Sequence, residues 1–142
     1  MELLRELYTE ILVPSAVLDE VVRDPSVALD AALASGWLKR VTASNRERVY
    51  QVERALGGRG EAEVIGVALE LEGAIVLIDE RAARAYARSL GLQVLGTVGV
   101  VLDAKRRGLI DRATPLLDDL RRSGFWLDDA TYRRARELAS EP

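Results

Sequence analysis

The stretch from Gly57 to Ile110 constrains the fold of this chain more than any other. It reads GGRGEAEVIGVALELEGAIVLIDERAARAYARSLGLQVLGTVGVVLDAKRRGLI. An acid, Glu61, opens an apolar helix. The helix leads into AIVLI (Ala74 to Ile78), and a second acid, Asp79, stands where that apolar run ends. A continuous apolar run of this length predicts a strand covered on both faces. ERAARAYARSL then reads as a helix closed by Gly91, LQVLG (92–96) as a strand, and TVGVVLDAKRR as a helix capped by Thr97 and closed by Gly108. Strands alternating with helices predict an α/β fold with a mainly parallel, doubly covered sheet. Such sheets bind ligands at one edge, and both acids are expected there.

On a helical wheel of about 100° per residue, Ile65 and Ala68 fall close to Glu61, whereas Glu63, Gly66 and Glu70 fall opposite. Glu61 is therefore expected to head the buried stripe and Glu63 the solvated one. A carboxylate at the head of an apolar stripe needs a reason, since an unpaired buried charge is costly. One reason is its place in the first turn, where an acid favours orphan N–H groups and the helix dipole. Asp79 sits where an N-cap belongs, and Asp is a preferred cap. Capping and ligand binding both remain open for each acid taken alone.

The chemistry available is narrowed by what is missing. Among 142 residues there is no cysteine and no histidine, which removes disulfides, zinc-thiolate sites, Ser-His-Asp and Cys-His catalysis and histidine metal sites. Converging carboxylates without those residues point to a hard divalent cation. The P-loop and Rossmann patterns are absent, so no nucleotide cofactor is expected. The longest uncharged run, Ser89 to Leu102, is too short for a membrane span and is broken by glycines. With no basic-then-apolar leader, the chain is expected to be cytoplasmic. Its length predicts one domain over 1–142.

The net charge of −3 does not advertise nucleic-acid binding, but its distribution is uneven. Residues 1–80 carry 8 basic and 15 acidic side chains, and residues 81–142 carry 12 basic and 8 acidic. Arg81, Arg84, Arg88, Lys105, Arg106 and Arg107 face one acid, Asp103, in the span they bound. An acidic half beside a basic half suits a metal in one and a phosphate backbone in the other. Arg81, Arg84 and Arg88, at i, i+3 and i+7, share a face that is otherwise simply the wet side of an alanine-rich helix.

Elsewhere, residues 2–8 read as a helix, Glu10 to Val13 as a strand, and Pro14 as the opening of a helix broken at Asp24-Pro25. Ser26 is expected to cap ALDAALAS, closed by Gly36. WLKRVTA (37–43) reads as a strand, and Asn45 as the cap of a helix to Leu56, with Gly57 to Gly60 a flexible loop. Two further helices are expected over 111–123 and 129–139. Asp19 and Glu20 default to a solvated pair, since the wheel does not choose between them. Trp37, Trp126, Phe125 and Tyr132 look like packing residues rather than a base-stacking platform.

Through EILVPSAVLDEV, the Gly58–Ile110 region and FWLDDATYRRARELA, the chain resembles the PIN-domain family, in particular relatives of the VapC-type toxins. The resemblance covers nearly the whole chain. It implies a three-layer α/β/α fold with additional C-terminal helices and a metal-dependent ribonuclease site with Glu20, Glu61 and Asp79 as acids. Glu63, Glu80 and Thr97 would be auxiliaries. It also implies Mg2+ or Mn2+ as cofactor, single-stranded or structured RNA as substrate, an antitoxin protein as partner, and a homodimer. The six basic residues above would hold the RNA backbone. The chain departs from the family where an opening strand ending in an aspartate would precede Met1. That departure leaves three expectations: a start further upstream, an inactive binding or interaction module, or another chain at that position.

Overall fold

The computed structural model describes residues 2–21 and 29–141. The expected break at Asp24-Pro25 and the Ser26 cap lie outside the described residues. The chain divides into two compact units, one of Tyr8–Leu95 and one of Met1–Leu7 with Gly96–Pro142.

In the first unit the order is β1 (Ile11–Pro14), α2 (Ser15–Val21), α3 (Asp30–Ala34), β2 (Leu38–Val41), α4 (Arg46–Leu56), α5 (Arg59–Ala68), β3 (Ile75–Leu77), α6 (Arg81–Ser89) and β4 (Gln93–Leu95). The strands form two parallel pairs. β1 runs beside β2 with Ile11 opposite Leu38, and β3 beside β4 with Ile75 opposite Gln93. The mixed α/β class with parallel pairing is the one expected. The strands are shorter than the apolar runs that encode them, because Ala74 and Ile78 fall outside the β3 ladder.

α5 is the centre of this unit. Gly60, Ala62, Glu63, Ile65, Gly66, Val67 and Ala68 are all buried, and the helix touches α2, α4, β1 and β3. This corrects the two-faced wheel. A helix enclosed on every side shows no solvated stripe, so Gly66 and Glu63 are as buried as Ile65. Gly66 marks the closest approach, to α4: a Cβ built there would lie 2.5 Å from Val49 Cγ2 and 3.3 Å from Ala43 Cβ.

Local signals set the helix ends. The Asn45 side chain accepts from the Arg48 N–H at 3.0 Å as the N-cap of α4. Gly57 ends that helix at φ 81°, a left-handed conformation that glycine adopts without strain. The expected flexible loop is shorter than predicted, since Gly58 is already the N-cap of α5.

The second unit contains α1 (Glu2–Leu7), α7 (Thr97–Arg106), α8 (Thr114–Arg122) and α9 (Asp129–Leu138). Its core gathers Val101, Ala113, Leu117, Leu127 and Ala135, with Phe125 and Tyr132 packed against it. Trp126 does not join them. It is 83% exposed, which corrects its reading as a packing residue. Gly96, not Thr97, is the N-cap of α7. Glu141 reaches back to the start of α8, accepting from Ala113 N–H at 2.6 Å, Thr114 N–H at 2.9 Å and the Thr114 hydroxyl at 2.5 Å.

Two outcomes follow. Gly66→Ala places a methyl against the buried Val49 and lowers stability by about 1–3 kcal/mol, despite the better helix propensity of alanine. Urea denaturation of Gly66→Ala, and of the same variant with Val49→Ala to relieve the clash, checks it. In the second unit, the Thr114 hydroxyl, opposed by burial and helped by the two N–H groups, holds the Glu141 carboxyl down at about 2, below the ordinary 4.5. Its stabilisation is full above 4.5 and is lost as pH falls toward about 2. Thermal melts from pH 5 to pH 2 are expected to show a shallower acid limb in Glu141→Gln.

Candidate functional site

Two of the candidate acids, Glu20 and Glu61, lie at the first turn of α5. Its leading N–H groups have no partner within the helix, and its dipole turns a positive end toward them. Two glycines there make room for two carboxylates. At Gly58, a Cβ would sit 2.3 Å from Glu61 Oε2, so the Glu61 side chain folds back over the turn that precedes it. At Gly60, a Cβ would sit 3.2 Å from each oxygen of Glu20, which arrives from the end of α2. Glu20 is exposed and Glu61 half-buried. Glu20 is thus not simply one of a solvated pair: its carboxylate leans on the helix that carries Glu61.

Asp79 lies beyond the end of β3 and is exposed. The capping role expected of it belongs to Glu80, whose side chain accepts from the Ala83 N–H at 2.6 Å. Bonds from the N–H groups of Ala82 and Ala83 hold the Glu80 carboxyl below its usual range. Glu80 is therefore a helix cap and not a spare ligand.

Glu63 is the acid that the sequence misplaced. It is 2% exposed. One oxygen accepts the Ala16 N–H in the first turn of α2 at 2.8 Å, and the other meets Arg46 Nη1, at the start of α4, at 2.6 Å. Burial alone would raise its pKa, but the Ala16 N–H and the Arg46 guanidinium outweigh that and hold it below the ordinary value. Glu63 is a structural carboxylate that joins three helices. Glu70 does similar work on the surface, accepting from the N–H groups of Ser44 and Asn45 ahead of α4 at 3.0 and 2.8 Å.

Carboxylates are the right donors for a hard cation, but number and placement matter as much. Among the described residues, no group of three or more Asp, Glu, His or Cys is gathered so that it could hold a metal ion. Glu20, Glu61 and Asp79 therefore do not fit a divalent ion as they stand. The physical reason lies in the glycine turn, which draws Glu61 toward Gly58 while Glu20 rests on Gly60.

The basic residues separate into two sets. On α6, Arg81 and Arg88 are exposed, and Arg84 is half-buried with its Nε buried and without a hydrogen-bond partner. Among the described residues none of the three forms an ion pair. In the second unit, Arg106 and Arg107 both pair with Asp103, Arg107 at 2.9 Å. Burial opposes this, but the two guanidiniums still hold the Asp103 carboxyl below its usual range. Lys105 Nζ donates to the Asp111 carbonyl at 2.5 Å, and Arg107 donates to the Leu7 carbonyl at 3.1 Å. These three cations are spent within their own unit. Thr97 is the first residue of α7 in that unit.

These features define an α/β protein of parallel strand pairs, with two acids at the head of one buried helix and, on α6, a basic face without an ion pair among the described residues. The family model described as PIN domain matches residues 1–141, and the chain belongs to that family. Its fold is accordingly of the nuclease type. No curated protein and no solved structure matches it. Among the described residues no helix is long and apolar enough to cross a membrane.

The two acids of α5 are expected to separate by role. Glu63→Ala leaves the Ala16 N–H without its partner and costs about 2–3 kcal/mol, whereas Glu61→Ala costs under about 1 kcal/mol. Because the Glu63 pKa is lowered in the fold, its contribution is present above the ordinary carboxylate value and lost as pH falls through the folded one. Urea titrations at pH 7 and pH 3 should show the gap between wild type and Glu63→Ala narrowing in acid.

Proposed function

We propose that this chain acts on RNA as a PIN-type ribonuclease, with Glu20, Glu61 and Asp79 as its site acids and Arg81, Arg84 and Arg88 as its contact with the phosphate backbone. The observation that carries this reading is the placing of Glu20 and Glu61 at the same helix start, in a chain that belongs to the family over residues 1–141. Two carboxylates at one helix start are donors of the kind that a Mg2+ or Mn2+ ion takes. The arrangement as it stands does not hold one, so the assignment rests on the acids themselves. On α6, Arg81 and Arg88 are exposed two turns apart with the half-buried Arg84 between them, a basic face that contacts a phosphate backbone with affinity and without sequence preference. An antitoxin protein, a second copy of the chain and a cytoplasmic location belong to the same proposal.

A second reading has its own support. Among the described residues the acids do not gather into a group of three, which favours a catalytically inactive module that binds nucleic acid or protein on the same fold. One set of measurements separates the two. Under the first, the protein binds single-stranded RNA, cleaves it slowly in Mn2+ or Mg2+, is silenced by chelator, and loses cleavage but not folding in Asp79→Asn. Reversing Arg81 and Arg88 to glutamate weakens binding at every sequence and reduces the salt slope by about 2. RNA binding with no cleavage under any ion selects the inactive module, and absence of RNA binding overturns the nucleic-acid reading altogether.

A further inference from the structure

Two arginines act on the buried carboxylate of Glu63. Arg46, at the start of α4, gives it Nη1 at 2.6 Å, yet the Arg46 side chain is 53% exposed. A guanidinium carries five N–H donors in a flat fork, so the edge turned away from Glu63 is open to water. Arg59 is the first residue of α5, one turn before Glu63 on the same side of the helix. Its charge reaches the same carboxylate. It is nevertheless exposed and makes no ion pair among the described residues.

The charges do not cancel. Glu63 brings one negative charge against two positive ones. Glu63 is 2% exposed and both arginines are exposed, so the surplus positive charge lies at the surface. The next acid on the α4 side, Glu70, is engaged by the Ser44 and Asn45 N–H groups and by the charge of Arg48. Arg59 also lies between Gly58 and Gly60, against which Glu61 and Glu20 rest. It pairs with neither acid. A guanidinium set between two carboxylates and bonded to neither keeps its donors for a third anion. The exposed Ser15 and Thr42 hydroxyls, 3.1 Å apart, give polar and uncharged surroundings next to Ala16, whose N–H Glu63 also accepts.

We propose that Arg46 and Arg59 form a phosphate clamp that holds the RNA backbone beside Glu20 and Glu61, in addition to the contact made by the arginines of α6. The clamp rests on the ribonuclease reading above. A phosphate that approaches two carboxylates is repelled, and a fixed cation beside them offsets that repulsion. Arg46 is the fixed one, because Glu63 holds one edge of its fork and leaves the other for the phosphate. An arginine already oriented loses less freedom on binding than a loose one. Arg59 supplies the second, mobile contact from the helix that carries Glu61. Both contacts read charge and set position, not sequence.

The test titrates a fluorescent single-stranded pentauridylate onto the full chain at several salt concentrations, with chelator present so that no ion bridges RNA and protein. Arg59→Gln, a change at an exposed residue, is expected to weaken binding about fivefold and to lower the salt slope by about 0.7. Arg46→Lys keeps a positive charge for Glu63 but not the second edge of the fork, and weakens binding about threefold. Amide resonances of Arg59 and Gly60 shift on RNA addition in the wild type. Unchanged affinity and slope in Arg59→Gln, with binding still weakened by Arg81→Glu and Arg88→Glu, overturn the clamp and leave the RNA reading standing. So does a loss of binding in Arg59→Gln that is matched by a fall in melting temperature. Displacement of the RNA by a hexaglutamate peptide at equal concentration overturns the clamp in favour of an acidic protein segment. Absence of RNA binding by the wild type overturns the RNA reading and the clamp with it.

Discussion

The Tyr8–Leu95 unit depends on one buried carboxylate. Placing Glu63 almost entirely out of water is unfavourable unless its oxygens are bonded. Both are: one by the Ala16 N–H at the head of α2, the other by Arg46 at the head of α4. A single side chain on α5 thereby fixes the starts of two other helices. Arg46 is half in water, so the ion pair is partly screened, and the satisfied helix-start N–H is the firmer part of the bond. Glu61 lies two positions before Glu63, and Glu20 lies further along the α2 helix that Glu63 anchors. The positions of Glu20 and Glu61 follow from this structural one.

Where the sequence could be read, the signal was local. Asn45 with its cap, and Gly57, Gly91 and Gly108 at positive φ beyond helix ends, are decided by residues close in sequence. The class of fold follows from the alternation of apolar runs with helical ones. The wheel failed on α5 because it assumes one wet side. Four elements enclose that helix, and the smallest residues, not the most apolar, mark its tightest contact at Gly66. The caps slipped by one position for a related reason. Sequence shows which residue types favour a cap, but geometry decides which carboxylate reaches the N–H three residues on, and at α6 that is Glu80 rather than Asp79.

The candidate site was legible in its residues and not in their arrangement. Glu20 and Glu61 come together through glycines that a sequence reader takes for loop flexibility. In the fold Gly58 and Gly60 are recesses for carboxylates. The basic half of the chain was legible as a charge count, but a count does not see pairing. Asp103 lies one turn before both Arg106 and Arg107, within reach of each on the same helix face. The three arginines of α6 have no such acid in their helix.

The two strand pairs of this unit are held together by a helix and not by a ladder. Each pair satisfies its own inner edge, and α5 gives both a shared apolar floor. Glu63 and the close contact at Gly66 in turn hold α5 against α2 and α4. In an unbroken sheet, backbone hydrogen bonds would fix the spacing of β1 and β3 at strand distance, about 4.8 Å for each neighbour. Here side-chain packing on α5 sets it, and packing tolerates a gap that a ladder does not. The same residues of AIVLI then meet two environments: Val76 and Ile78 pack inward, while Ile75 and Leu77 stay at the rim. An apolar run that looks uniform in sequence is divided by the pleat, which turns alternate side chains to opposite faces of the strand. That division explains how a strand encoded for burial comes to present two large aliphatic side chains, Ile75 and Leu77, to solvent.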